Sequence, residues 1–392
     1  MGGTAEVIGT YRLPGVHRED FVPTAPAELV TGVPAFLGYV VREPVDEQNR
    51  PIRPQALVLR SDFERLFGPA VPDGYLAATV SGFFDNGGER CYVMALDPAE
   101  PLVALRAGLE ALVASDGVDL VCAPDIMRRR SGETPPPEEL ARLQLTVLMH
   151  CDTTGDRFAI LDSSPGAWPE GVRQQRVPLA GTNGALYYPW VVTSSGAHLP
   201  PCGHVAGVYA STDRRWGVHK APANVVLTGV VDLDMAVSDV QQALLNPEGI
   251  NCLRAFSGRG IRVWGARTLS AAPEWTYVNV RRLFLTVGRR LERVFAATVA
   301  EPNEPSLWAR IERDVASYLG TLLRAGALQG NTPADAFYVK CDAETNSRAT
   351  RDAGAVVTEI GLAPTAPGEF IVVRIIHTPA GTSISVPTAP AP

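Results

Sequence analysis

The 392-residue sequence has none of the marks of a membrane or secreted protein. No stretch approaches the roughly eighteen consecutive apolar residues needed to span a bilayer. The first twenty residues lack a basic region followed by an apolar one, so no secretory signal is expected and assembly is expected in the cytoplasm. No two of the six cysteines, Cys91, Cys122, Cys151, Cys202, Cys252 and Cys341, are spaced C-x-x-C. Cys202-x-His204 and His150-Cys151 fall short of paired zinc spacing, so buried free thiols are expected, with no metal and no cofactor. A net charge of -7 argues against nucleic acid as the partner, because phosphate binding needs a basic face.

The catalytic signatures are missing as well. There is no G-x-S-x-G, H-E-x-x-H or G-x-x-x-x-G-K-[ST]. Gly82–Arg90 (GFFDNGGER) reads as a turn in which Asn86-Gly87-Gly88 supply positive φ, rather than as a phosphate cradle. Gly258-Arg259-Gly260 begins like a dinucleotide fingerprint, but Val263 stands where the third glycine should be. Asp232, Asp234 and Asp239, with His219 nearby, read as a solvated turn or helix N-terminus rather than an acid–base pair. No catalytic residue is assigned.

What is present is an alternation of short apolar runs with helical periodicities. Val33–Val41, Arg90–Leu96, Val118–Ala123, Phe158–Leu161 and Tyr187–Val192 read as strands. Tyr75–Asp85, Leu102–Ala114 and Glu138–Met149 read as helices, and Ser61–Gly68 as a short capped one. Gly203–Arg214 reads as a helix near the surface, and Ser163–Gly184 as a proline- and glycine-rich loop. This pattern predicts an α/β chain, with mixed-sheet domains, flanking helices and extended N- and C-terminal arms.

A composition change at Asn246–Gly249 suggests a boundary. The expected organisation is an N-terminal arm (1–20), an α/β domain (21–245), a second domain (246–377) and a flexible tail (378–392). In the second domain, Tyr277–Ala300 and Pro305–Leu328 read as amphipathic helices. One has an apolar face of Leu283, Val287, Leu291 and Val294; the other has Leu307, Ile311, Val315, Tyr318 and Leu322. At about 100° per residue, Arg282, Arg289 and Arg293 group away from the first face, and Arg310, Arg313 and Arg324 away from the second.

Read in order, several segments resemble the phage tail sheath family. They are Val33–Gly38 (VPAFLG), Ser61–Gly68 (SDFERLFG), Tyr75-Leu76-Ala77, Gly82–Val93 (GFFDNGGERCYV), Gly249-Ile250-Asn251, Gly260–Leu269 (GIRVWGARTL) and Tyr277–Leu283 (YVNVRRL). They cover both halves of the chain, while residues 99–243 are similar only in α/β character. Both halves lie in one chain, unlike the two-protein sheaths of type VI secretion.

The resemblance implies a structural subunit, not an enzyme; the alternatives are a soluble α/β enzyme with an unrecognised site, or an adaptor that caps the sheath at the baseplate. Its copies stack in rings around an inner tube protein and contract on a baseplate signal. The implied partners are further copies of the chain, the tube, and baseplate and tail-terminator proteins, with no nucleic acid and no direct membrane insertion. The particle would be a phage tail or a headless injection device. Within that frame, either arginine stripe is a candidate tube contact. The termini are candidate links to neighbouring subunits, through Val7, Ile8 and Tyr11 at one end and Phe370, Val372 and Ile375 at the other. The route would be strand addition, since a short extended segment cannot satisfy its own backbone groups.

Overall fold

In a computed structural model of the chain, the described residues are 29–48, 50–51, 53–128, 133–296 and 301–368, with the backbone of 374–378 and 381–385. Strands β1 (Pro34–Gly38), β2 (Gln55–Leu57), β3 (Cys91–Ala95), β4 (Leu120–Cys122), β5 (Phe158–Asp162) and β6 (Gly184–Tyr188) alternate with helices. These helices are α1 (Asp62–Phe67), α2 (Leu76–Asp85), α3 (Pro101–Leu112), α4 (Pro137–Thr154) and α5 (Pro169–Arg176). Then come β7 (Val191–Thr193), β8 (His198–Leu199), α6 (Cys202–Trp216), β9 (Val225–Val226), β10 (Val230–Leu233) and α7 (Asp239–Leu245). The chain continues through β11 (Ile250–Phe256), β12 (Gly260–Val263), α8 (Val278–Ala296) and α9 (Pro305–Arg324). It ends with α10 (Pro333–Ala336), β13 (Phe337–Lys340), α11 (Arg348–Asp352), β14 (Glu359–Leu362), β15 (Arg374–Thr378) and β16 (Gly381–Ser385).

The main sheet has nine strands in the order β2-β3-β1-β4-β5-β6-β11-β12-β9. The run from β3 to β11 is parallel, and β2, β12 and β9 add antiparallel edges. A parallel sheet covered on both faces needs strands apolar at every position, which is why Pro34–Gly38 is a continuous apolar run with every residue buried. Along each strand the side chains divide between the two faces with period two. Leu37, Met94, Val121, Leu161 and Leu186 join α3 and α4 on one face. Phe36, Val93, Leu120, Ile160 and Tyr187 join α2 and α6 on the other.

Two glycines decide how close α6 comes. A Cβ on Gly203 would lie 2.1 Å from the carbonyl oxygen of Thr79, and one on Gly207 2.5 Å from that of Phe83. Only glycine lets α2 and α6 meet backbone to backbone. Consequently α6, expected near the surface, is buried from Cys202 to Ala210. The turn after α2 behaves as expected: Gly87 has φ +94°, and a Cβ on Gly88 would strike the Phe83 ring.

The boundary expected at residue 245 falls inside this architecture. Both β11 and β12 lie beyond it, yet they are members of the main sheet. The separate unit starts at α8, where α8 and α9 enclose a third core built on Leu283, Val287, Trp308, Ile311, Val315 and Leu319. The region expected to be a loop, Ser163–Gly184, contains α5, whose one buried residue is Val172. Likewise the segment from 378, expected to be a flexible tail, includes β16, which folds back antiparallel on β15.

Candidate functional site

Two of the three arginines of the first stripe lie on no free surface, while Arg293 is exposed. Arg282 is 2% exposed and Arg289 5%, because the side of α8 opposite the third core lies against the α/β body. Arg282 grips Asp213 of α6 with both ends of its guanidinium, at 2.9 and 2.6 Å, and reaches Asp119 at 3.1 Å. It also stacks over the Tyr209 ring at 4.8 Å. Burial disfavours its charge, but Asp213 and Asp119 outweigh that and hold the guanidinium above its ordinary pKa. For Asp213 burial acts the other way and pushes the carboxyl up. The two-pronged geometry argues for both groups being ionised, since the fork matches a carboxylate. Arg289 and Arg293, further along α8, both donate to the carbonyl of Asp116, at 2.8 and 3.3 Å. The expectation of a tube-facing stripe is therefore corrected for Arg282 and Arg289. They form the seam that fastens α8 to the stretch before β4.

The second stripe is on the outside. Arg313 and Arg324 are exposed and Arg310 is partly so. Arg310 pairs with Glu301 and Arg313 with Asp314, so the stripe is partly neutralised by its own neighbours.

Further on, β13 and β14 form a two-stranded antiparallel sheet beside α9, with Phe337 facing Leu362 and Lys340 facing Glu359. The β15–β16 hairpin is a second two-stranded sheet. Isolated two-stranded sheets are marginal in water, and each has edges that no other described strand covers. Of the arm candidates, Ile375 falls in β15; Val7, Ile8, Tyr11, Phe370 and Val372 lie outside the described residues.

The acidic residues near His219 do not converge. Asp234 accepts the backbone N–H of Trp190 at 3.0 Å and of Gly166 at 3.2 Å, while Asp239 pairs with Arg254 at 2.6 Å. These are turn and strand fasteners. Among the described residues no group of three or more His, Cys, Asp or Glu is placed to hold a metal, and no helix is long and apolar enough to cross a membrane. The described cysteines are buried free thiols. None of these features was legible as a site in the sequence. The seam's acidic partners sit 69 and 163 residues from Arg282, beyond any local pattern.

Comparison with known proteins gives a consistent answer. Residues 107–269 match the family model for the phage tail sheath protein central domain, and residues 270–378 that for the phage tail sheath C-terminal domain. The chain is 31% identical to a subunit of the anti-feeding prophage helical sheath in its contracted state. That similarity covers 94% of this chain and 100% of that one, with a TM-score of 0.75. A chain in the baseplate of the same particle is 30% identical over 94% of this chain and 99% of its own length, with a TM-score of 0.76. The tail sheath protein of Salmonella phage ViI is 26% identical over 170 residues, 42% of this chain and 26% of that protein. The chain thus spans about a quarter of the length of that phage relative.

Proposed function

Since this chain belongs to the phage tail sheath family, we propose that it is the structural subunit of a contractile sheath, which polymerises around an inner tube and contracts to drive that tube through a target envelope. The observation that carries this is the similarity over 94% of the chain to a helical sheath in its contracted state. The relatives are sheath proteins rather than enzymes, and the α/β-enzyme alternative gains no support from them. Self-association and contact with a baseplate follow from the same relatives. The inner tube and tail-terminator proteins as partners, and assembly in the cytoplasm, belong to this proposal.

Within it, the α8–α9 unit is taken to face the tube, with Arg293, Arg310, Arg313 and Arg324 as the remaining contact candidates. The links between copies are assigned to the two small sheets. The β15–β16 hairpin of one copy would join the edge of the β13–β14 sheet of the next. Each backbone hydrogen bond contributes roughly 0.5–1.5 kcal/mol net, modest singly and decisive when repeated through a polymer. Residues 1–20 are assigned a similar linking role. The test is negative-stain electron microscopy of the purified protein, alone and after deletion of Arg374–Ser385 or of the residues before Pro14. The full chain should give hollow cylinders and the truncated chains folded monomers. A full chain that stays monomeric across a wide concentration range overturns the sheath reading; cylinders from both truncated chains overturn the linking role alone.

A further inference from the structure

The seam at Arg282 does more than join a helix to a sheet. Asp119 spends its carboxylate on three partners. Besides Arg282, it accepts the backbone N–H of Gly32 at 3.0 Å and of Val33 at 2.6 Å. Those two residues lead into β1 and form the root of the N-terminal segment, next to the first of the described residues. The carbonyl of Val33 in turn accepts from the N–H of Asp119 and Leu120, at 3.1 and 3.3 Å. The Thr31 side chain favours the charged form of Asp213, the other acid on Arg282. At Gly32 the backbone has φ +74° and runs so close to α6 that a Cβ there would sit 2.5 Å from the Cα of Ala210. The root is therefore held by side chains whose charges are balanced from the far side by Arg282, on the first helix of the C-terminal unit.

We propose that the Asp119–Arg282–Asp213 cluster is a mechanical pin, which makes the root of the N-terminal segment and helix α8 open and move as one unit. It rests on the sheath reading for its purpose: a pull on the N-terminal segment would pass to the C-terminal unit without first peeling β1 from the sheet. Its geometry is independent of that reading and is testable on a single subunit.

The logic is one of uncompensated charge. Removing Arg282 leaves two buried carboxylates without their cation, and the cheapest relief is for Thr31–Val33 to part from Asp119 and Asp213 and admit water. Removing Arg289, on the same face of the same helix, loses its contact to the carbonyl of Asp116 and its attraction to Asp119, but breaks no hydrogen bond to Asp119 or Asp213. Deprotection of the root thus separates a pin from a merely stabilising seam.

The experiment is hydrogen–deuterium exchange by mass spectrometry on the full chain at a concentration where it is monomeric. In the unaltered protein, fragments covering residues 29–33 and the first turns of α8 should exchange at matching slow rates. In Arg282→Met, exchange at Gly32 and Val33 should rise roughly a hundredfold or more, while β5 and β6 keep their protection. Arg289→Met, which breaks no hydrogen bond to Asp119, should raise exchange at residues 29–33 far less. If Arg282→Met does not fold, Arg282→Lys, which keeps the charge but cannot grip both acids with a two-pronged fork, should show the same change to a smaller degree. Unchanged protection of residues 29–33 in a folded Arg282 variant overturns the proposal, as does equal loss in Arg289→Met. Cylinder formation by the unaltered protein, read separately by microscopy, reports on the sheath reading and not on the pin.

Discussion

The close approach of α2 and α6 makes Gly203→Ala an informative substitution. In an exposed helix interior the change would stabilise by about 1 kcal/mol, because alanine has less backbone freedom to lose. Here the new methyl would sit 2.1 Å from the Thr79 carbonyl oxygen, where a C···O contact normally settles at about 3.3–3.6 Å. The obstacle is backbone, so α6 must retreat by more than about 1 Å along a face that also carries Val205, Val208 and Tyr209. A gap of about 0.5–1 Å already forfeits a quarter to a half of each dispersion contact. Overpacking of this kind costs about 1–3 kcal/mol. Taking the upper end and subtracting the helical gain leaves a net loss of about 2 kcal/mol. The control is Gly288→Ala in α8, where an added Cβ meets nothing within 4 Å; it should gain about 0.5–1 kcal/mol. Urea unfolding of the monomer, followed by tryptophan fluorescence, should place the two midpoints on opposite sides of the unaltered protein. Adding Thr79→Ser to Gly203→Ala removes the methyl at 2.6 Å but not the carbonyl, so it should not rescue. Equal midpoints for the two glycine variants, or full rescue by Thr79→Ser, would refute the reasoning.

Charge reversal separates the two arginine stripes. Arg313→Glu and Arg324→Glu, both exposed, should shift stability by no more than about 0.5 kcal/mol in thermal melts while weakening assembly on the tube; normal extended sheath on tube from the doubly reversed protein would remove this stripe as a contact. By contrast, Arg282→Glu should cost at least about 3–5 kcal/mol, read as loss of soluble folded protein. Stability should also respond to pH through Asp162, whose buried carboxylate receives the Cys202 N–H at the start of α6, and whose pKa burial pushes up to about 7. Its folded pKa lies above its unfolded one, so the folded state holds the extra proton between about pH 4 and 7. This contribution therefore falls as pH rises, by up to about 1.4 kcal/mol per unit. Buried His204 acts oppositely: burial lowers its pKa to about 4, so its contribution is lost as pH drops below about 6.5. The urea-midpoint difference between the unaltered protein and Asp162→Asn should move against the unaltered protein from about pH 5 to pH 7 and level off above it, and a flat difference from pH 5 to pH 7 would contradict the assignment.

Elements whose residues are chemically alike along their length are legible in the sequence alone. The apolar run from Val33 reads as a buried strand, and the spacing of Leu283, Val287, Leu291 and Val294 as one face of a helix. What escaped the sequence depended on partners far away. A guanidinium looks solvated by default, and nothing local to Arg282 announces Asp119 and Asp213. Helix α5 hid because Pro169–Arg176 buries one apolar side chain and carries no periodic signal. The hairpin strand Gly381–Ser385 hid because short Thr- and Ser-rich sequence reads as tail until a partner strand is seen. Even the composition change near Asn246 was real; it marks the turn into β11, a sheet strand, rather than a boundary.

That continuous sheet has a consequence for where a contracting device can keep its energy. Among the described residues, the slab of nine strands with helices on both faces, fastened to α8 by buried charge, offers no soft joint between the sheet and α8. Packed interiors resist continuous deformation. On the sheath reading proposed above, the difference between a long, loaded particle and a short, spent one would reside in the junctions among copies, with this part of each subunit serving as a stiff brick. A library of surface variants at those junctions should tune how readily the spring fires, whereas variants in the brick should decide only whether there is a spring at all.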